Sequence, residues 1–258
     1  MLADADTTED AALGGRLVLR QPRRGHRFGH DAILLAAATD ARAGERACEL
    51  GAGVGAAGLA LAHRVGGLAI TLIEVDATLA QLARDNALRN GLADRVTVAT
   101  LDVAASARAF AAVGLAAASC ARVLMNPPFN DPARQNVSPD AQRRLAHLGS
   151  GETLSLWINR AGFLLAPSGA LTLIWRADGL ADVLAATAAA TAAFGGVAVL
   201  PIFPRPGAAA IRIIVSATKG SRAPLALLPG LTLNNADGKP SGLAEAVLRD
   251  GAPLAPEP

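Results

Sequence analysis

The chain has 258 residues, a hydrophobic fraction of 52% and a formal net charge of +2 at pH 7. This length suits one α/β domain with a full core, and a net charge so close to zero says little about partners. The two cysteines, Cys48 and Cys120, have neither metal-ligand spacing nor a disulfide framework, which indicates no metal and a reducing cytoplasm. An acidic first segment and interrupted apolar runs predict neither a signal peptide nor a membrane span.

Strand and helix patterns alternate along most of the chain. Strands are predicted at 46–50, 69–74, 95–99, 121–126, 169–176, 197–203 and 211–217, and helices near 30–39, 55–64, 77–90, 152–165 and 179–194. The first five strands alternate with helices, which predicts a parallel doubly wound sheet. The last two are joined by a segment too short for a parallel crossover, so we expect a C-terminal antiparallel hairpin.

No repeat or domain-sized linker interrupts this order, so we expect a single domain over 1–258. Within it, 1–44 forms an N-terminal extension, 45–220 the α/β core, and 221–258 an ordered C-terminal appendage with a loose tip.

A glycine-rich turn, Glu49-Leu50-Gly51-Ala52-Gly53-Val54-Gly55, lies between the first core strand and a helix. Glycines allow close backbone approach and a helix start offers unpaired N–H groups, so this turn suits a nucleotide-like ligand. The turn does not identify that ligand, because Gly53 to Gly58 also fits the dinucleotide pattern G-x-G-x-x-G. An NAD-dependent reductase therefore stays possible at this point.

Acidic residues at the strand ends favour S-adenosylmethionine. Glu49 precedes the first glycine, where it suits the methionine ammonium and would repel a pyrophosphate. Glu74 ends the second core strand, where a ribose diol is gripped, and Asp102 follows the third, where a carboxylate can accept from the adenine amino group. Each acid alone could equally be a solvated charge or a helix cap. Their order at successive strand ends is what indicates a site.

The fourth core strand runs into Asn126-Pro127-Pro128-Phe129. The Asn126 side-chain oxygen and the Pro127 carbonyl can both accept from a planar NH2 group, the prolines stiffen the turn, and the Phe129 ring can stack on the substrate. Asn-Pro-Pro is also an ordinary turn at the end of a strand. Together with the glycine turn, the tetrapeptide indicates methylation of a planar amine.

Arginine carries nearly all of the positive charge, and its planar fork suits phosphate. The basic residues form three groups along the chain, each of which is a solvated surface unless all converge on one face. They are Arg16, Arg20, Arg23, Arg24 and Arg27; Arg134, Arg143 and Arg144; and Arg205, Arg212, Lys219 and Arg222.

Four segments together resemble the bacterial tRNA adenine N6-methyltransferases, which modify the adenosine adjoining the anticodon of a valine tRNA. They are Arg24 to Ala37, which contains Asp-Ala-x-Leu-Leu-Ala, Glu49 to Gly55, Asn126 to Phe129, and Lys219 to Leu225. The likeness runs from about Leu13 to Leu254. It implies the seven-stranded Rossmann-like sheet of class I methyltransferases, with S-adenosylmethionine as cofactor and tRNA or another structured RNA as partner.

The resemblance also assigns roles to residues. His30 and Asp31, in an extension that closes over the cofactor, would cover its methionine end, and Gly51, Gly53 and Gly55 would line its backbone. Glu74 would hold the ribose and Asp102 the adenine, while Asn126, Pro127 and Phe129 would hold an extruded target base. For His30 and Asp31 the alternative is an ordinary helix start, with one side chain capping the residues near Ile33.

Other activities use a similar tetrapeptide. A glutamine side chain in a protein is also a planar amide, but those enzymes usually carry a helical domain before the glycine turn. A guanine N2-methyltransferase acting on ribosomal RNA is a nearer alternative, and a DNA adenine methyltransferase would need a separate recognition region. A non-catalytic RNA-binding relative is the alternative from another class.

Overall fold

A computed structural model of the protein describes residues 6–25, 27–128 and 150–254. The strands are β1 (Thr7–Ala12), β2 (Leu17–Pro22), β3 (Arg46–Leu50), β4 (Ala69–Glu74), β5 (Val96–Thr100), β6 (Cys120–Met125), β7 (Leu165–Arg176), β8 (Phe194–Phe203), β9 (Arg212–Lys219), β10 (Ala226–Leu227) and β11 (Leu231–Thr232). The helices are α1 (His30–Ala38), α2 (Ala56–Arg64), α3 (Ala77–Arg89), α4 (Ala107–Ala112), α5 (Ser150–Leu164), α6 (Leu180–Ala189) and α7 (Gly242–Leu248).

The central sheet has the strand order β10-β8-β9-β7-β6-β3-β4-β5, with β11 also pairing with β8. Strand β9 runs antiparallel to both β7 and β8, and the remaining pairs are parallel. The parallel α/β sheet and its C-terminal antiparallel hairpin confirm the predicted fold class. The two-residue strands β10 and β11 extend the sheet beyond the seven strands expected from the sequence.

Helix α6 ends at Ala189, five residues before the predicted end at 194, and β8 begins at Phe194 rather than 197. Alanine favours helix over this stretch, but Phe194 and Gly195 pair with Lys219 and Thr218 of β9. Pairing in the sheet therefore overrides local helix propensity. The sequence did not predict several short elements, namely the β1–β2 hairpin, α4, β10, β11 and α7.

Each face of the sheet has its own hydrophobic core. In β6, Leu124 belongs to the core under α1, α2 and the β1–β2 hairpin, whereas Val123 and Met125 belong to the core under α4, α5 and α6. Because side chains alternate across a strand, an uninterrupted apolar run supplies both cores.

The β1–β2 hairpin is attached to α3 by two asparagines one helical turn apart. Asn86 accepts from the backbone N–H of Arg20 at 2.7 Å and donates to its carbonyl at 2.9 Å, and Asn90 makes the same pair of bonds with Val18. No described strand pairs with the outer edge of β2. The two asparagine side chains supply the hydrogen bonds that a partner strand would make there. Asn86 also donates to the Val54 carbonyl at 3.0 Å, which joins the hairpin to the glycine turn.

Within residues 6–25, 27–128 and 150–254, no helix has the length and apolar character needed to span a bilayer. The same part of the chain has no cluster of three or more histidine, cysteine, aspartate or glutamate side chains that could bind a metal.

Candidate functional site

The carboxyl ends of four parallel strands meet at one edge of the sheet. Leu50 of β3 is paired with Ile73 of β4 and with Met125 of β6, and Glu74 is paired with Thr100 of β5. The glycine turn, Glu74, Asp102 and Asn126 therefore follow neighbouring strands at the same level. This is the edge at which open α/β sheets bind ligands.

The glycine turn is fixed by backbone bonds and by one side chain above it. Ala52 donates to the Ile73 carbonyl at 2.9 Å, and Gly51 has a φ of 69°. A Cβ atom on Gly51 would lie 2.3 Å from the Trp157 ring of α5, so the residue must be glycine both for its conformation and for this close approach.

Glu74 is buried, with 7% of its surface exposed, and both of its oxygens hold backbone N–H groups. One accepts from Gly53 at 2.7 Å and the other from Asp76 at 2.8 Å. Burial raises the pKa of Glu74, and the two backbone hydrogen bonds oppose that rise. Since each carboxylate oxygen has a second lone pair, Glu74 can hold the glycine turn and still accept from ligand hydroxyls.

Glu49 lies beneath the glycine turn and is 3% exposed. Its Oε2 atom accepts from the backbone N–H of Gly58 at 2.7 Å, in the first turn of α2. Burial raises the pKa of Glu49 to about 8, so the carboxyl group keeps its proton at neutral pH. A Cβ on Gly58 would lie 2.6 Å from this oxygen, so the third glycine of the pattern permits close packing of α2 on the sheet.

Asp102 begins a turn after β5. Its Oδ1 accepts from the Ala104 N–H at 2.8 Å and its carbonyl accepts from the Ala105 N–H at 2.9 Å. The Leu101 N–H donates to the Glu74 carbonyl at 2.9 Å, which keeps the ends of β4 and β5 together. Glu74 at the end of β4 and Asp102 after β5 therefore lie beyond adjacent strands at the same edge of the sheet.

Asn126 follows β6 directly, next to the glycine turn. Its Oδ1 atom is buried and accepts no hydrogen bond from the described part of the chain. A buried acceptor without a donor costs about 1–3 kcal/mol, so this oxygen can accept a hydrogen bond from a group outside the described residues. Pro127 and Pro128 complete the described part of the tetrapeptide, and Phe129 lies outside the described residues.

Helix α1 begins at His30, which is exposed, and its N-cap is Gly29 without a side-chain cap. The alternative interpretation was correct that a helix starts here, but the N-cap is Gly29, so its prediction of a capping side chain from His30 or Asp31 was wrong. Asp31 instead pairs with Arg212 of β9, its Oδ2 lying 2.8 Å from the guanidinium Nε. This ion pair joins the start of α1 to the β8–β9 hairpin at the carboxyl edge.

In the three groups of basic residues defined from the sequence, some side chains bond to the protein itself and others are exposed to solvent. Lys219 donates to the carbonyls of Gly162 and Leu165 at 2.7 Å each, so it stabilises the end of α5. Arg23, Arg24, Arg205 and Arg222 are exposed to solvent. The group Arg134, Arg143 and Arg144 lies outside the described residues.

Two residues of α5 at the site were missed by the sequence analysis. Trp157 covers Gly51, and Arg160 donates to carbonyls of the turn that follows Asp102. Both were treated as ordinary positions of a predicted helix. The only available signal was their spacing of three residues, which places them on one face of that helix.

The family model described as "Methyltransferase small domain" matches residues 27–179. The chain is 33% identical over 161 residues to the tRNA1(Val) (adenine(37)-N6)-methyltransferase of Porphyromonas gingivalis, with 61% of each chain covered. It is 32% identical over 163 residues to the protein of that name from Dickeya chrysanthemi, covering 62% of this chain and 60% of the relative. The chain therefore spans about three fifths of the length of the curated relatives it matches.

Among solved structures, a predicted O-methyltransferase of Agrobacterium tumefaciens superposes with a TM-score of 0.74 at 29% identity, covering 88% of this chain and 100% of the other. A SAM-dependent O-methyltransferase of Thermotoga maritima superposes with a TM-score of 0.53 at 19% identity, covering 78% of this chain and 69% of the other, and that likeness concerns the fold alone. These superpositions agree with the expected class I methyltransferase fold.

Proposed function

The chain belongs to the methyltransferase small domain family, and we propose that it transfers a methyl group from S-adenosylmethionine to the N6 amine of an adenine in RNA. The substrate we propose is the adenosine beside the anticodon of a tRNA, since the curated relatives carry that activity in their names. The observation that carries the proposed chemistry is the buried, unpartnered Oδ1 of Asn126.

The described residues fit the cofactor. Gly51, with its φ of 69°, has no room for a Cβ atom beside the Trp157 ring, so the turn presents bare backbone at this position, as close approach of a ligand requires. Glu74 sits at the end of β4 with lone pairs for two ribose hydroxyls, and the Asp102 carboxylate follows the neighbouring strand for the adenine amino group. Gly53 and Gly55 would line the backbone of the cofactor, and His30 and Asp31, at the start of α1, would cover its methionine end. The burial and raised pKa of Glu49 do not support the predicted attraction of an ionised Glu49 for the methionine ammonium, and Glu49 instead supports the turn from beneath through the Gly58 N–H.

When bound, S-adenosylmethionine supplies an electrophilic methyl carbon on a sulfonium. Asn126 Oδ1 and the Pro127 carbonyl would accept the two hydrogens of the target amine, which orients the nitrogen lone pair toward that carbon. Held in this way, the amine nitrogen would take the methyl group as the sulfonium leaves, and the methylated amine would then lose its proton to water. Phe129 would stack on the target base, and the exposed arginines would hold phosphate.

An amine is favoured over a hydroxyl as the acceptor, although one structural relative is named a predicted O-methyltransferase. A hydroxyl must lose its proton to become a good nucleophile, and a carboxamide oxygen is too weak a base to remove it. Asn126 is the polar side chain that follows β6. Its carboxamide can accept a hydrogen bond from an NH2 group or donate one, but it cannot remove a proton.

The test is to incubate the protein with labelled S-adenosylmethionine and with total tRNA, ribosomal RNA and protein from a strain that lacks it. We expect label in tRNA as N6-methyladenosine, and none with Asn126→Ala as matched control. Label in guanine of ribosomal RNA, in a glutamine side chain or at a hydroxyl would overturn the proposed substrate. Calorimetry with S-adenosylmethionine and with NAD tests the cofactor separately, and binding of NAD alone would overturn it.

A further inference from the structure

Helix α5 contacts both ends of the proposed cofactor site through side chains one turn apart. Trp157 lies against Gly51, at the glycine turn. Arg160 reaches the other end, where its Nε donates to the Val103 carbonyl at 2.9 Å and its Nη2 donates to the Ala105 carbonyl. Val103 and Ala105 belong to the turn that Asp102 begins.

The guanidinium of Arg160 lies over two aromatic rings. Its Cζ lies 4.3 Å from the centroid of the Phe110 ring, in α4, and 5.4 Å from the centroid of the Phe163 ring, in α5. A planar guanidinium can stack on a ring while its edge donates several hydrogen bonds in fixed directions. A lysine ammonium at this position would keep the charge but lose the stacking and the fork.

The helix that bears Arg160 is itself fixed at its end. Lys219 of β9 donates to the carbonyl of Gly162, in the last turn of α5, and to the carbonyl of Leu165, the first residue of β7. The last carbonyls of a helix have no acceptor role within it, so the lysine satisfies one of them. Arg160 therefore links the turn after β5 to an element that the sheet anchors.

The Asp102 turn is thus constrained from two sides. Its own bonds, from the Ala104 N–H to Asp102 Oδ1 and from the Ala105 N–H to the Asp102 carbonyl, close the turn from within. Arg160 fixes two of its carbonyls from outside, so the peptides of the turn cannot rotate without breaking those bonds. The direction of the Asp102 carboxylate depends on the orientation of these peptides.

We propose that Arg160 is a positioning residue, which orients the Asp102 turn and so sets the selectivity of the site for the adenine end of the cofactor. The inference rests on the proposed function, in which Asp102 accepts from the adenine amino group. It adds a residue that acts through the backbone of another element and touches no ligand itself.

The test compares S-adenosylhomocysteine with S-inosylhomocysteine, in which a carbonyl oxygen replaces the adenine amino group. A carboxylate that accepts from the amine is repelled by the carbonyl, so the wild-type protein should prefer the adenosyl compound by about ten-fold or more. Calorimetry on the full chain gives both dissociation constants. Arg160→Met should weaken binding of S-adenosylhomocysteine and reduce the ratio of the two dissociation constants at least three-fold. Arg160→Lys should not restore that ratio.

Arg95 is the matched control, because it also donates to two backbone carbonyls, those of Ala62 and Val65 at the end of α2. Arg95→Met removes bonds of the same kind away from the Asp102 turn, so it should leave the ratio unchanged even if it lowers the melting temperature. If Arg160→Met does not fold, Arg160→Lys supplies the measurement.

The possible results separate the two proposals. A wild-type ratio close to one would overturn the role of Asp102, and with it the basis of the inference, whether or not labelled tRNA forms. A large wild-type ratio that is retained in both Arg160 variants would overturn the inference alone. A ratio that falls equally in Arg95→Met would show a general loss of packing and would also overturn it.

Discussion

The two halves of the ligand-binding edge differ in how their polar groups are satisfied. In the cofactor half, formed by the glycine turn, Glu74 and Asp102, the carboxylates accept from backbone N–H groups of the chain itself. In the target half, formed by Asn126 to Pro128, the buried Asn126 oxygen accepts nothing from the described residues. The first half is organised by bonds within the chain, whereas in the proposed mechanism the second half takes its donor from the substrate.

This difference has an energetic meaning. Side chains that satisfy buried backbone groups contribute to folding, and their removal leaves those groups unpaired. A side chain that is itself unpaired costs stability and is kept for function. Substitutions in the cofactor half should therefore lower both stability and ligand binding, and substitution in the target half should lower activity alone.

The largest effect is expected from Asn126→Ala. Loss of one preorganised hydrogen-bonding group at the reacting amine should lower kcat by about a hundred-fold or more. RNA affinity and its salt dependence should stay near those of the wild type, because phosphate contacts come from arginines elsewhere. The free energy of unfolding should be unchanged or higher. Single-turnover kinetics, filter binding and urea denaturation measure the three quantities.

Near-normal turnover of Asn126→Ala on the true substrate would mean that the tetrapeptide is only a strand-ending turn. A clear loss of stability would instead show that Asn126 is satisfied within the protein, and the contrast between the two halves would disappear.

Glu74→Ala should have the next largest effect, and it should act on both properties. Losing charge-assisted bonds to two ribose hydroxyls costs about 1.5–3 kcal/mol, which corresponds to a weakening of S-adenosylmethionine binding by about ten-fold or more. The Gly53 and Asp76 N–H groups lose their acceptor, so the midpoint of urea unfolding should also fall.

The control for Glu74→Ala is Asp178→Ala, because Asp178 is an exposed acid that pairs with Arg176 at the surface. That variant should change neither quantity appreciably. Unchanged S-adenosylmethionine affinity in Glu74→Ala would remove Glu74 from the site.

Asn86→Ala extends the comparison to the support of the cofactor half. Asn86 is fully buried, and its loss removes three hydrogen bonds to the backbone of Arg20 and Val54. We expect a destabilisation of about 1–3 kcal/mol in chemical denaturation. Asn90→Ala, at a half-buried position and without a bond to the glycine turn, should cost less and leave cofactor affinity unchanged. Equal effects of the two variants on cofactor binding would contradict the proposed link through Val54.

The effect of Glu49→Gln is expected in the pH dependence of stability. The pKa of Glu49 is about 8 in the folded protein, against 4.5 for an ordinary glutamate. The folded state therefore binds the proton more tightly, so the stability that this group contributes is full below pH 4.5 and is lost as the pH rises to about 8. Glutamine keeps an oxygen for the Gly58 N–H and carries no charge.

The free energies of unfolding of the wild type and of Glu49→Gln, measured between pH 5 and pH 9 at intervals of about half a pH unit, test this. A shift of one pKa unit corresponds to about 1.4 kcal/mol. Glu49→Gln should show a flatter decline over that range than the wild type. Parallel curves would mean that Glu49 is ionised throughout this pH range in the folded protein.

The sequence by itself determined the alternation of strands and helices, the antiparallel end of the sheet and the order of acids along the strand ends. These follow from local patterns, namely apolar runs, glycine turns and short connections, which fix structure within a few residues. Leu50 is the predicted end of the first core strand and Met125 lies one residue before the predicted end of the fourth, and the structure pairs the two side by side.

Only the tertiary structure decided how those side chains are satisfied. No local pattern shows that Asn86 and Asn90 replace a strand partner, that Arg160 holds the Asp102 turn, or that Glu49 is buried on the Gly58 N–H. Each of these contacts joins residues that are distant in sequence or lie on different elements. Their energies depend on burial and on the directions of donors and acceptors, which exist only once the chain has folded.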